Sequence, residues 1–225
     1  MLWDPRYFIF ALPALLLAFY AQLRVKSAYN RYSRKQNGRG LSGYEAARIL
    51  LRSAGLDHIR VDEVPGRLSD HYDPRKKELR LSQGVARSRS VAALGIVAHE
   101  VGHAVQDAAN YAPLRVRSGL VPAVQLGSWL GPIIFFVGML LSGATGSTTI
   151  AWIGVFLFAG TAVFALVTLP VEFNASNRAI QLLRSYQLAD GRELQETKQV
   201  LNAAALTYVA ALAQALSTLL YYVFL

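Results

Sequence analysis

The stretch His99-Glu100-Val101-Gly102-His103 carries the side chains of this chain best suited to chemistry. On a helix its two imidazoles lie four positions apart on one face, with a carboxylate beside the first. Zinc binding with an activated water needs this set: two neutral imidazole nitrogens on the metal and a carboxylate that takes the water's proton. The flanking residues predict that helix. Val91, Leu94, Val97, Ala98, Val101 and Val105 make Val85 to Asp107 largely apolar, and Ser88 or Ser90 can cap its start. The plain alternative is a pair of core histidines beside an ion-paired Glu100. It must account for three of the most polar side chains lying in the least polar part of a helix, where burial is costly without pairing or a metal.

A catalytic zinc normally takes three protein ligands and a water. The four histidines are His58, His71, His99 and His103, and Ala109 stands six residues after His103, which excludes the metzincin spacing. Asp107 is one turn beyond His103 on the same helix face, so it suits a hydrogen-bond acceptor better than a third ligand. Glu172 is better placed, 69 residues after His103, at the first turn after an apolar run, where Pro170 allows a change of direction. A Glu there is also explained as a helix-start residue favoured by the dipole. Asp190, in Leu188-Ala189-Asp190-Gly191, faintly resembles the LDG motif of intramembrane site-2-type proteases, but it stands in a polar connector. His71 is a further ligand candidate, read preferentially as a substrate-side group on an edge strand, or more simply as a turn histidine bonded to Asp70 or Asp73.

These residues must be positioned by a chain that is 53% hydrophobic and carries a formal net charge of +9. Four runs lack Asp, Glu, Lys, Arg and His: about Tyr7 to Leu23, Leu120 to Leu141, Thr149 to Leu169, and Ala203 to Leu225. A membrane-crossing helix needs about 20 apolar residues, so the first run is marginal and the others are ample. Only Arg6 precedes the first run, offset by Asp4, whereas Arg24, Lys26, Arg31, Arg34 and Lys35 follow it. An uncleaved anchor with its N-terminus outside is therefore expected rather than a signal peptide. The segment Arg24 to Arg117 holds 18 of the 23 Lys and Arg residues and 9 of the 14 acids. With Val171 to Asn202 it is expected on the cytoplasmic side, facing anionic lipid. No interleaving of basic and aromatic residues suggests nucleic-acid binding. The absence of cysteine excludes thiolate-ligated zinc, disulfides and thiol catalysis.

Between the runs, Ser42 with Glu45 forms a capping-box signature for a helix that Gly55 ends. Ile59, Val61 and Val64 alternate as a short strand. Asp73-Pro74 starts a turn continued by Arg75 to Lys77, with Leu79 and Leu81 beyond it, so a small antiparallel hairpin or edge strand with a basic tip is expected. Gly131-Pro132 suggests a kink in the second run, and Leu169-Pro170 a break between the third run and a following helix. Asp190-Gly191 is a turn, after which a helix from Glu193 runs into the fourth span.

Several stretches together carry a family resemblance. They are Ser69-Asp70-His71-Tyr72-Asp73-Pro74, Leu79-Arg80-Leu81-Ser82, Ala98-His99-Glu100-Val101-Gly102-His103-Ala104-Val105-Gln106, Leu169-Pro170-Val171-Glu172-Phe173-Asn174-Ala175-Ser176-Asn177-Arg178-Ala179, and Val200-Leu201-Asn202-Ala203-Ala204-Ala205-Leu206-Thr207-Tyr208. Over nearly its whole length the chain resembles the YugP-like family of bacterial membrane zinc metallopeptidases, and more distantly the HtpX and CAAX-prenyl-protease group. The resemblance implies a neutral zinc peptidase. In the wider group a Glu ligand is followed four residues later by an Asp. Glu172 matches the ligand, whereas Ser176 stands where that Asp would be, so support of His103 or the metal differs here.

The combined expectation is a mainly α membrane protein with about four transmembrane helices and a zincin-like α+β catalytic portion around HExxH on the cytoplasmic side. Its expected divisions are an anchor (1–25), a catalytic portion (26–118), a transmembrane hairpin (119–171), helices carrying the third ligand (172–202) and a last transmembrane helix (203–225). The expected activity is Zn2+-dependent endopeptidase action on membrane-associated or misfolded proteins at the bacterial cytoplasmic membrane. Metal ligands would be His99, His103 and Glu172, with Glu100 as the base, and His71 or Tyr72 aligning substrate or donating to the oxyanion. Expected partners are a protein or peptide substrate and the lipid bilayer, with no nucleic acid; a homo-oligomer is left open. The rival readings are a non-catalytic scaffold or chaperone-like protein with a metal site, which would show no turnover, and a transporter, which the charge-free spans disfavour.

Overall fold

The computed structural model describes residues 5–225; Asp4, used above to judge the N-terminal flank, lies outside the described residues. The elements run α1 (Pro5–Tyr32), α2 (Gly43–Ser53), β1 (Arg60–Val64), β2 (His71–Asp73), β3 (Glu78–Ser82), α3 (Gln83–Ala86), α4 (Val91–Ala108), α5 (Ala112–Thr145), α6 (Thr149–Ser185) and α7 (Gly191–Phe224). The chain is mainly helical, with a small sheet. Four of its helices, Phe8–Tyr32 within α1 together with α5, α6 and α7, are long and apolar enough to cross a membrane. Contacts group the residues into two compact units.

One unit gathers the described residues up to Ala21, Arg115–Pro170 and Thr207–Leu225. Its buried residues Phe135, Ala151, Val155, Tyr221 and Tyr222 form an aromatic-rich cluster, with the Phe135 and Tyr222 rings stacked 4.3 Å apart. Its outer faces are apolar too: Leu140 is 80% and Phe156 76% exposed. Surfaces of that kind suit lipid better than water. α6 corrects one expectation. It continues through Pro170 to Ser185, so no break follows Leu169. Proline removes one N–H from the ladder, and a long helix, in which every other turn remains bonded, tolerates that loss.

The other unit comprises Gln22–Leu114 and Val171–Leu206. The capping box of α2 is present: the Ser42 hydroxyl accepts from the Glu45 N–H at 3.2 Å, and the Glu45 carboxylate accepts from the Ser42 N–H at 2.8 Å. Ala54 is the C-cap, and Gly55 follows with φ +73°, the left-handed region that glycine enters without penalty. The hairpin of β2 and β3 turns at Pro74–Lys77 as expected, and the Asp73 carboxylate accepts from the Arg75 N–H at 2.9 Å within the turn. β1 joins the far side of β3 in parallel, which makes the order β1-β3-β2 and leaves β2 at an edge.

The helix expected from Val85 to Asp107 is two helices. Val85 belongs to the short α3, and α4 starts only at Val91 because Ser90 caps it, its hydroxyl accepting from the Ala93 N–H at 3.2 Å. The apolar face of α4 packs with Leu50, Leu51, Leu79, Leu81 and Leu183 in one buried cluster. α4 is packed among α2, the sheet and the Val171–Ser185 part of α6.

Candidate metal centre

All the groups of this centre lie in the second unit. The four-residue spacing on α4 points the His99 and His103 rings the same way, and they meet edge to face with centroids 4.8 Å apart. α6 brings Glu172 against them: its Oε2 is 3.2 Å from His99 Nε2 and 3.5 Å from His103 Nε2. One ligand atom from each of the three residues lies within 4.8 Å of the others. Among the described residues no other group of three His, Cys, Asp or Glu converges in this way.

The approach of the two helices depends on Gly102. A Cβ there would stand 2.6 Å from the Ala175 carbonyl oxygen, which is backbone and cannot swing aside. Gly102→Ala should therefore destabilise the full-length protein by about 1–3 kcal/mol, read as a lowered Tm in detergent, because α6 must retreat and carry Glu172 with it.

The carboxylate of Glu172 is 2% exposed. A buried anion facing two imidazole nitrogens, with no thiolate, is one of the established zinc donor sets, and it leaves a fourth position for water. The donor set therefore fits the metal. Each ring is held from its other nitrogen. His99 Nδ1 lies 3.2 Å from the Ser176 hydroxyl, and His103 Nδ1 lies 2.9 Å from Gln106 Oε1. The serine that replaces the expected Asp thus meets His99, not His103.

Glu100 is buried beside His99, and burial pushes its carboxyl pKa up. Its Oε2 accepts the backbone N–H of Tyr72 at 3.0 Å, which links the edge strand to α4. The Tyr72 phenol donates to Asp107 Oδ2 at 2.7 Å, and the Lys77 ammonium pairs with the same oxygen. Burial, reinforced by the Asp107 carboxylate, holds that phenol in its protonated form.

The remaining candidates stand apart from the three converging groups. His71 is exposed, its Nδ1–H directed to the Ser69 carbonyl at 2.8 Å. His58 is exposed. Asp190 caps α7, its carboxylate accepting the Glu193 N–H at 2.7 Å. Gln106, which meets His103 Nδ1, was passed over in reading by motif. Its spacing of three from His103, on the same helical face, was the available signal.

Over 217 residues the chain is 43% identical to the "Putative membrane protease YugP" of Bacillus subtilis (strain 168), covering 96% of this chain and 95% of that protein. No solved structure matches the chain. Residues 7–225, and so all the groups described above, match the family described as "Putative neutral zinc metallopeptidase", and the chain belongs to that family.

Proposed function

We propose that this protein is a zinc-dependent endopeptidase of the bacterial cytoplasmic membrane, hydrolysing peptide bonds in membrane-associated or misfolded proteins. One observation carries the reading: the convergence of His99, His103 and Glu172 within 4.8 Å, next in chain to the buried Glu100. His99 and His103 would hold the metal through Nε2, and Glu172 through its carboxylate. Bound zinc supplies Lewis acidity and brings the pKa of a water down from about 15.7 towards roughly 7. Glu100 takes a proton from the attacking water and returns it to the departing amine. Burial shifts its pKa upward, the direction that favours taking up a proton.

β2 supplies the substrate side in this reading. As an edge strand beside Glu100 it can pair with an extended peptide, with the exposed His71 facing that peptide. Tyr72 serves through its N–H on Glu100, while its hydroxyl is engaged by Asp107. Tyr72→Phe is expected to lower stability by about 0.5–1.5 kcal/mol and to leave kcat near the wild-type value. A large fall in kcat at unchanged folding would instead assign the hydroxyl to the oxyanion.

The basic residues flanking the first and second spans support a cytoplasmic site. The test is metal content and turnover of the purified full-length protein. One zinc per chain, loss of peptide hydrolysis on chelation and recovery on adding zinc are expected. Wild-type protein without stoichiometric zinc would overturn the reading.

A further inference from the structure

We propose that Gln106, Asn174 and Arg178 form a positioning relay that sets the tautomer of His103, so that its Nε2 lone pair faces the metal; this rests on the zinc reading above. The relay follows from groups that can play only one hydrogen-bonding role. Arg178 Nε–H can only donate, and it lies 2.8 Å from the Asn174 side-chain oxygen. That contact turns the Asn174 amide so that its oxygen faces the relay. Gln106 Nε2 lies 3.0 Å from the same oxygen and 2.8 Å from the Val171 carbonyl, which can only accept. Both contacts require the NH2 group of Gln106 at that end. Its Oε1 is thereby the atom facing His103, at 2.9 Å from Nδ1. An amide oxygen can only accept, so His103 carries its proton on Nδ1, and a neutral ring then presents a bare Nε2 towards Glu172.

Burial makes the relay decisive. Gln106 is fully buried, so an inverted amide would oppose its NH2 to the His103 N–H and its oxygen to two acceptors with no water to relieve either clash. His99 has no equivalent constraint. Its Nδ1 meets the Ser176 hydroxyl, which rotates to donate or accept. The two imidazoles therefore differ: His103 is fixed in advance, whereas His99 adjusts. The relay member that meets His103 is a neutral amide, so it adds no charge beside Glu172. Each relay member also lies on α4 or on the first turns of α6 past Pro170, so the same contacts tie Glu172's helix to the HExxH helix.

The test is the zinc Kd of full-length protein in detergent, measured by competition with a chromogenic chelator, beside thermal unfolding of the metal-free form. Gln106→Leu is expected to weaken zinc binding by about 10- to 100-fold. Arg178→Met, at a partly exposed position, should weaken it by a smaller factor. Because Arg178 acts through Gln106, the double variant should bind no more weakly than Gln106→Leu alone. Asn174→Asp keeps an acceptor for both neighbours and should retain near-wild-type affinity, whereas Asn174→Leu should not. The Asn174 pair and Arg178→Met decide the matter if Gln106→Leu fails to fold. Wild-type affinity in Arg178→Met and Asn174→Leu, or independent, multiplying effects in the double variant, would overturn the relay while leaving the zinc reading intact. A wild type that holds no zinc would remove both.

Discussion

Glu100→Gln is expected to keep one zinc per chain and to lower kcat by about 10²- to 10⁴-fold, the usual worth of a positioned general base. The amide has the shape of the carboxylate and keeps an oxygen that can accept the Tyr72 N–H, so the link between β2 and α4 survives. What it loses is the capacity to take a proton. The same comparison separates catalysis from architecture: a merely structural Glu100, exchanged for an isosteric amide, would change stability and not turnover. Metal analysis and steady-state kinetics on one preparation measure both quantities. Retained hydrolysis in the amide variant would remove Glu100 from the mechanism.

Glu172→Ala should abolish stoichiometric zinc. The two remaining ligands would come from adjacent turns of one helix, and the site would lose its anion. The loss should exceed the roughly 100-fold that removal of an outer hydrogen-bond partner costs. Its effect on folding is separate. Against the cost of burial, the contacts with His103 and His99 hold the Glu172 carboxyl well below the usual carboxylate range in metal-free protein, so its removal gives up a buried pairing. Thermal unfolding in excess chelator at neutral pH should therefore show the variant less stable than wild type. Wild type at a free zinc level of 100 times Kd should gain about 2.7 kcal/mol by mass action, and the variant should gain nothing. Zinc bound equally by both proteins would exclude Glu172 as a ligand. Combining Glu172→Ala with His103→Ala adds a control, since full occupancy in the double variant would defeat the metal site altogether.

The site joins the HExxH helix to the edge strand β2. α4 is held by the packed Leu and Val side chains around it, and β2 by its pairing with β3, the burial of Tyr72 in the same cluster, the Tyr72 bonds to Glu100 and Asp107, and the Lys77 ion pair. An incoming peptide that pairs with the edge strand would act directly on the strand that contacts the base. The proposed substrate side and the proposed proton carrier are thus joined by a single backbone hydrogen bond.

Features set by neighbours in sequence were legible without a fold. The pairing of His99 with His103 follows from helical period, the Ser42–Glu45 cap from a three-residue spacing, and the four candidate spans from length and absence of charge. The turn at Pro74–Lys77 followed from Asp73-Pro74 in the same way. Three things were decided only by tertiary structure. α6 runs unbroken through Pro170, because one missing N–H is a local cost that the rest of a long helix outweighs. β1 pairs in parallel with β3, a choice that alternation along a strand does not encode. Glu172 was already named from the sequence as the third-ligand candidate; how it reaches the two imidazoles was decided by the fold, because Gly102 lets the backbone of α6 come close, and Gln106 reaches Val171 and Asn174 for the same reason. Local periodicity determines which side chains share a face; which faces meet depends on close packing between segments distant in sequence, and here that packing brings Glu172 to the two histidines of α4.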